Sequence, residues 1–150
     1  MEENYTAAKL FTGNDRLEHQ AITVKDGIIQ SIKPASPDNQ GTQLKGMVVP
    51  AFIDIQIYGA HGKLLAAYPE KDSIYKLKDY CKAGGAAHFL PTVATNPNEI
   101  IYSCIDAVRD YWQSGGEGCL GLHLEGPWIS KVRKGAHVEE LIHSPNIEEI

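Results

Sequence analysis

Three apolar runs, MVVPAFIDIQIYG (47–59), AHFLPTVAT (87–95) and CLGLHLEG (119–126), are separated by two stretches whose apolar residues recur at helical spacing. Strands that alternate with helices over short loops predict a parallel sheet covered by helices. An open doubly wound sheet and a closed barrel both satisfy this order. In the first stretch Ile74, Leu77 and Cys81 form the repeat, Asp72 and Ser73 offer a cap, and Gly84-Gly85 ends the helix. In the second, Asn96 offers the cap, Pro97 the first turn and Glu99 a capping-box partner, ahead of a stripe of Ile100, Ile101, Cys104, Ile105, Val108 and Trp112.

The residues before this pattern read differently. TAAKLFT, QAITVKD and GIIQSIK carry alternating or β-branched apolar residues, and Asp26-Gly27 between the last two is a hairpin-turn signal. Turn-rich SPDNQGTQ (36–43) closes this layer. The expected organisation is α/β: a small β domain over 1–46, part of a β-sandwich, and over 47–150 the first three units of a TIM-like (β/α)8 barrel. Near the end, Ser144 suits a helix cap, Pro145 the first helical position, and Glu148 and Glu149 the positive end. A helix of one turn is marginal, so the sequence reads as cut.

Of 150 residues 19 are acidic and 14 basic, and the cations cluster only at Lys131, Arg133 and Lys134, which argues against a broad nucleic-acid-binding face. Three cysteines, Cys81, Cys104 and Cys119, are odd in number and far apart. They predict buried, reduced thiols in a cytoplasmic protein. The start has no signal-peptide pattern, and no window reaches the length of a membrane span.

Period-two alternation puts Leu120, Leu122 and Leu124 on one face of the third strand and Gly121, His123 and Glu125 on the other. In a barrel, His123 and Glu125 would point inward, with Glu125 at the C-terminal mouth where catalytic groups gather. A carboxylate there must be paired, protonated or metal-bound, and a cap or ion pair is the structural alternative. The first strand likewise sets Phe52, Asp54, Gln56 and Tyr58 on one face and Ile53, Ile55 and Ile57 on the other. Gln56 and Tyr58 can line a site or only hydrogen-bond within the barrel. His61, just past that strand, is placed to reach a site, without HxH or HExxH spacing around it. The loop KVRKGAHVEE suits an anionic substrate such as a phosphate ester, or is a solvated basic loop with His137 on the surface.

Taken together, VPAFIDIQIYGAHG, GGAAHFLPTVATNP and above all GLHLEGPWISKVRKGAHVEELI resemble the N-acetylglucosamine-6-phosphate deacetylase family of the amidohydrolase superfamily. The resemblance implies a metal-dependent-hydrolase barrel behind a small β domain. It implies that Glu125 binds one divalent metal ion, zinc ahead of iron or another ion, and that Ala136 and His137 bind the sugar phosphate. It further implies hydrolysis of the acetamide to glucosamine 6-phosphate and acetate by metal-activated water, and a homodimer or higher oligomer at full length. The sequence departs from the two-metal His-x-His pattern: it has Gln56-Ile57-Tyr58, and neither amide nor phenol replaces imidazole as a transition-metal ligand. A single-metal site follows, with the role of Tyr58 open. The family's metal-binding histidines and catalytic aspartate are expected beyond Ile150, since a full barrel needs about 250 residues. The 150 residues alone are therefore expected to be inactive. Two alternatives stand beside this reading: an amidohydrolase acting on a cyclic amide or N-acyl amino acid, and a non-catalytic phosphosugar-binding or assembly module.

Overall fold

The computed structural model describes residues 1–149 and divides into two compact units, Met1–Pro50 and Ala51–Ile150. The first unit is a four-stranded mixed sheet in the order β3-β2-β1-β4, built from β1 (Glu2–Phe11), β2 (Arg16–Lys25), β3 (Ile28–Pro34) and β4 (Thr42–Val48). The Asp26-Gly27 turn joins β2 to β3 as expected, both residues taking positive φ. Ala7, Leu10 and Ile22 form its small core. The expected first barrel run is divided: Met47 and Val48 belong to β4, which pairs in parallel with β1. Pro50, which has no N–H for a ladder, lies between that strand and the next.

The second unit holds β5 (Phe52–Ile57), a small hairpin of β6 (Gly59–Ala60) and β7 (Lys63–Leu64), α1 (Lys71–Ala83), β8 (Ala86–Ala94), α2 (Asn98–Gln113) and β9 (His123–Glu125). β5, β8 and β9 form a parallel sheet with β8 central. β8 is buried along its second half, and Phe89 and Val93 pack with Leu65, just past β7, and with Ile74, Leu77, Cys104 and Tyr111 from the two helices.

Several local expectations are corrected. α1 starts two residues early, with Glu70 at its cap position. Asp72 lies in the first turn and pairs with Lys63 at 2.8 Å, while buried Ser73 donates to the Tyr68 carbonyl at 2.7 Å. Asn96 does not cap α2; its amide donates to Ala94 O at 2.9 Å and Pro97 takes the cap position. The buried stripe of α2 is Ile101, Cys104, Ala107, Val108 and Tyr111, so Ile105 and Trp112 are displaced to its flank. Tyr111 can be buried because its hydroxyl reaches Glu117 O at 2.6 Å, and Trp112 is held outside by its Nε1 bond to Cys119 O at 3.0 Å. The third strand is only three residues long. Gly121 takes φ +150°, which breaks the regular ladder, and Cys119 makes an isolated bridge to Phe89. In β5 only Ile57 is buried; Ile53 and Ile55 are exposed. The helix expected after Ser144 is a 3-10 turn at Ile147–Glu149, and Ile150 lies outside the described residues.

All three cysteines are buried and unpaired, and burial pushes the Cys104 thiol up to about 11. A thiol of that acidity holds almost no thiolate at neutral pH. Native protein at pH 7.5 is therefore expected to leave Cys104 unmodified by a maleimide over an hour, and denatured protein to react at all three cysteines. Mass spectrometry reads the difference; fast labelling of native Cys104 would contradict the packing. Among the described residues, no helix is long and apolar enough to cross a membrane.

Candidate functional site

The C-terminal ends of β5, β8 and β9 converge on one cleft of about 640 Å3, closed on its far side by the loop after β9. Glu125 is the last residue of β9, and Ala94 is its register partner on β8. The alternation expected from sequence places the Glu125 side chain in this cleft, half-buried. The Tyr58 hydroxyl, one residue past β5, donates to Glu125 Oε2, and Gln56 Nε2 donates to the same hydroxyl at 2.7 Å. The hydrogen bond to the Glu125 carboxylate raises the Tyr58 pKa above its ordinary value, and partial burial adds to this.

His123 also lies on this side of the sheet, but its Nδ1 is committed to Ile55 O at 2.8 Å. A carbonyl only accepts, so that nitrogen carries the proton. His61 is not brought to the cluster. It sits in the β6–β7 turn with φ +51° and meets the Tyr80 ring edge-on, centroids 5.9 Å apart.

The basic loop does not lie wholly in solvent. Arg133, Lys134, Ala136 and His137 all line the cleft, and the His137 side chain is largely covered. His137 Nδ1 lies 2.8 Å from Thr95 Oγ1, and Thr95 donates at 3.4 Å to the Glu125 carbonyl. Since the hydroxyl has one proton, His137 is the donor in the first bond. Its Nε2 then faces Glu125 Oε1 at 3.8 Å. Lys134 Nζ donates to His137 O at 3.3 Å and lies 3.9 Å from Glu139, which ties the loop to itself.

Thr95 was not singled out from the sequence. It ends the second apolar run, and Glu125 lies one residue from the end of the third; that similar position was the available signal. Among the described residues no three His, Cys, Asp or Glu side chains converge as a metal cluster. The Glu125 carboxylate fits a divalent cation as one anionic oxygen ligand, with further donors required from elsewhere.

No protein-family model matches the chain. Over 136 residues it is 32% identical to the N-acetylgalactosamine-6-phosphate deacetylase of Shewanella sp. (strain ANA-3), covering 87% of this chain and 34% of that protein. Over 137 residues it is 31% identical to the N-acetylglucosamine-6-phosphate deacetylase of Haemophilus influenzae, covering 89% and 36%. The crystal structure of N-acetylglucosamine-6-phosphate deacetylase from Pasteurella multocida superimposes with a TM-score of 0.85 at 26% identity, covering 99% of this chain and 40% of that one. The chain matches the N-terminal part of hexosamine-phosphate deacetylases. It spans about a third of the length of the curated relatives it matches. The deacetylase neighbours combine an N-terminal β domain with a TIM barrel, the architecture expected from the sequence. The two deacetylase names differ in the sugar, galacto against gluco, which are epimers at one hydroxyl.

Proposed function

We propose that this chain is the N-terminal part of a metal-dependent deacetylase that hydrolyses N-acetylglucosamine 6-phosphate to glucosamine 6-phosphate and acetate. The observation that carries the reading is the cleft itself: a strand-end carboxylate, Glu125, opposite a loop that contributes Arg133, Lys134 and His137. Its volume suits a sugar phosphate. The two cations favour a phosphate dianion, Arg133 through its planar fork and Lys134 as a point charge. His137, oriented by Thr95, binds the sugar phosphate, and neighbouring Ala136 leaves room for it. Glu125 is the ligand this chain supplies to a divalent ion, zinc ahead of iron. Such an ion, when bound, supplies Lewis acidity toward the acetamide carbonyl and acidifies water. The remaining metal ligands and the aspartate that moves the proton come from sequence beyond residue 150. Buried, unpaired thiols suit a reducing cytoplasmic setting.

The test begins with the coding region past the codon for Ile150. The encoded polypeptide is then assayed for acetate release from N-acetylglucosamine 6-phosphate, its galacto epimer and unphosphorylated N-acetylglucosamine. Expected is stoichiometric acetate from the gluco phosphate, abolished by a chelator, and roughly 100-fold lower turnover without the phosphate. Binding of the phosphosugar with no acetate released would favour a binding module instead.

A further inference from the structure

β5 and β9 are each paired with β8 and not with one another, yet a row of side chains joins them across it. Gln56 Nε2 donates to the Tyr58 hydroxyl, and that hydroxyl donates to Glu125 Oε2. Donor chemistry fixes these directions. A carboxylate only accepts, so the single phenolic proton goes to Glu125, and the amide NH2 supplies what the phenol oxygen accepts. Strands two places apart in a sheet are about 9.5 Å apart. A phenol is long and stiff enough to help close that gap, and Ala94, the small register partner of Glu125, lines the cleft beside both groups.

We propose that Tyr58 is a positioning residue: it holds Oε2 of Glu125 so that Oε1 alone is offered to a divalent ion. This rests on the deacetylase reading and deepens it. A glutamate side chain has three torsions and two equivalent oxygens, so an unrestrained carboxylate presents either oxygen or both. A neutral donor on one oxygen occupies one of its lone pairs and disfavours the two-oxygen mode while leaving the full negative charge for the cation. Outer hydrogen bonds of this kind commonly set metal affinity by about 10–100-fold. Tyr58 thus acts on the carboxylate without itself being a ligand, and Gln56 orients Tyr58.

The experiment uses the full-length polypeptide and zinc alone as the probe. Tyr58→Phe removes one oxygen atom and keeps the ring. Expected is zinc affinity about 10-fold weaker by competition with a chromophoric chelator, with kcat reduced and KM for the phosphosugar changed less than about 2-fold. In the infrared difference spectrum on zinc binding, the carboxylate stretches should move closer together as both oxygens engage. Gln56→Met, which cuts only the outer bond, should weaken zinc binding by a smaller factor, about 2–3-fold. A folded Tyr58→Phe protein with wild-type zinc affinity and spectrum overturns the proposal while leaving the deacetylase reading intact. If that variant does not fold, unchanged affinity in a folded Gln56→Met protein overturns it. Wild-type protein that neither binds zinc nor releases acetate overturns the function, and this inference with it.

Discussion

Full-length protein carrying Glu125→Gln is expected to lose about a thousandfold in kcat/KM for acetate release, equivalent to about 4 kcal/mol, and to be purified with far less than one equivalent of metal. The substitution keeps size and shape and removes the charge. The Tyr58 hydroxyl still finds an acceptor in the amide oxygen, so the row across β8 survives and the thermal midpoint should hardly move. That separation of activity from stability is the useful part of the result. On the proposed reading, an ion held by several ligands would lose its anionic donor from this chain, and a neutral amide oxygen is a much poorer ligand for zinc or iron. Elemental analysis and a steady-state acetate assay on the same preparation read both effects. Metal content and turnover near wild type would remove Glu125 from the metal site and leave it as an ion-paired strand end.

Gly126→Ala is expected to cost about 3 kcal/mol of folding stability, read as a lower urea midpoint with an unchanged slope. Gly126 has φ +95°, a conformation that costs an L residue roughly 1–3 kcal/mol. A Cβ added there would also meet Thr95 Oγ1 at 2.1 Å and Thr95 Cβ at 3.3 Å. Thr95 cannot simply turn away, because it is buried and its hydroxyl holds both the Glu125 carbonyl and His137. The combined variant with Thr95→Ala should recover the steric part and leave the backbone part, so the two changes will not add. An alanine at 126 that costs under about 0.5 kcal/mol would mean the turn after β9 is looser than its contacts imply.

The order of β5, α1, β8, α2 and β9 was legible from apolar runs broken by helical periodicity, whereas the β6–β7 hairpin, two residues to a strand, is too short to carry a period and went unseen. Glu125 was legible by the same count, since alternation along 120–125 assigns it to the side opposite the leucines. What escaped the sequence was non-local. β4 carries little alternation of its own and is defined by its parallel pairing with β1, some 37 residues away in the register of Tyr5 with Thr42. The buried stripe of α2 turned toward Ala107 and Tyr111 because a carbonyl at Glu117 and another at Cys119 take up the Tyr111 and Trp112 polar atoms. Helical spacing alone ranks a tryptophan above an alanine as core. His137 read as a possible surface residue because nothing in its own neighbourhood announces Thr95, 42 positions earlier, as its partner.

The bond from His123 to the Ile55 carbonyl stands beside the Tyr58 row, so β5 and β9 are cross-linked twice without touching as strands. Fraying of either edge therefore has a cost at the other: opening β9 releases the Ile55 carbonyl of β5 and the Tyr58 hydroxyl just past it, and opening β5 strands a histidine and a carboxylate on β9. The order of Glu125 is thereby tied to the cooperative opening of the sheet, and is set by the free energy of that whole unit and not by the mobility of the loop that follows it.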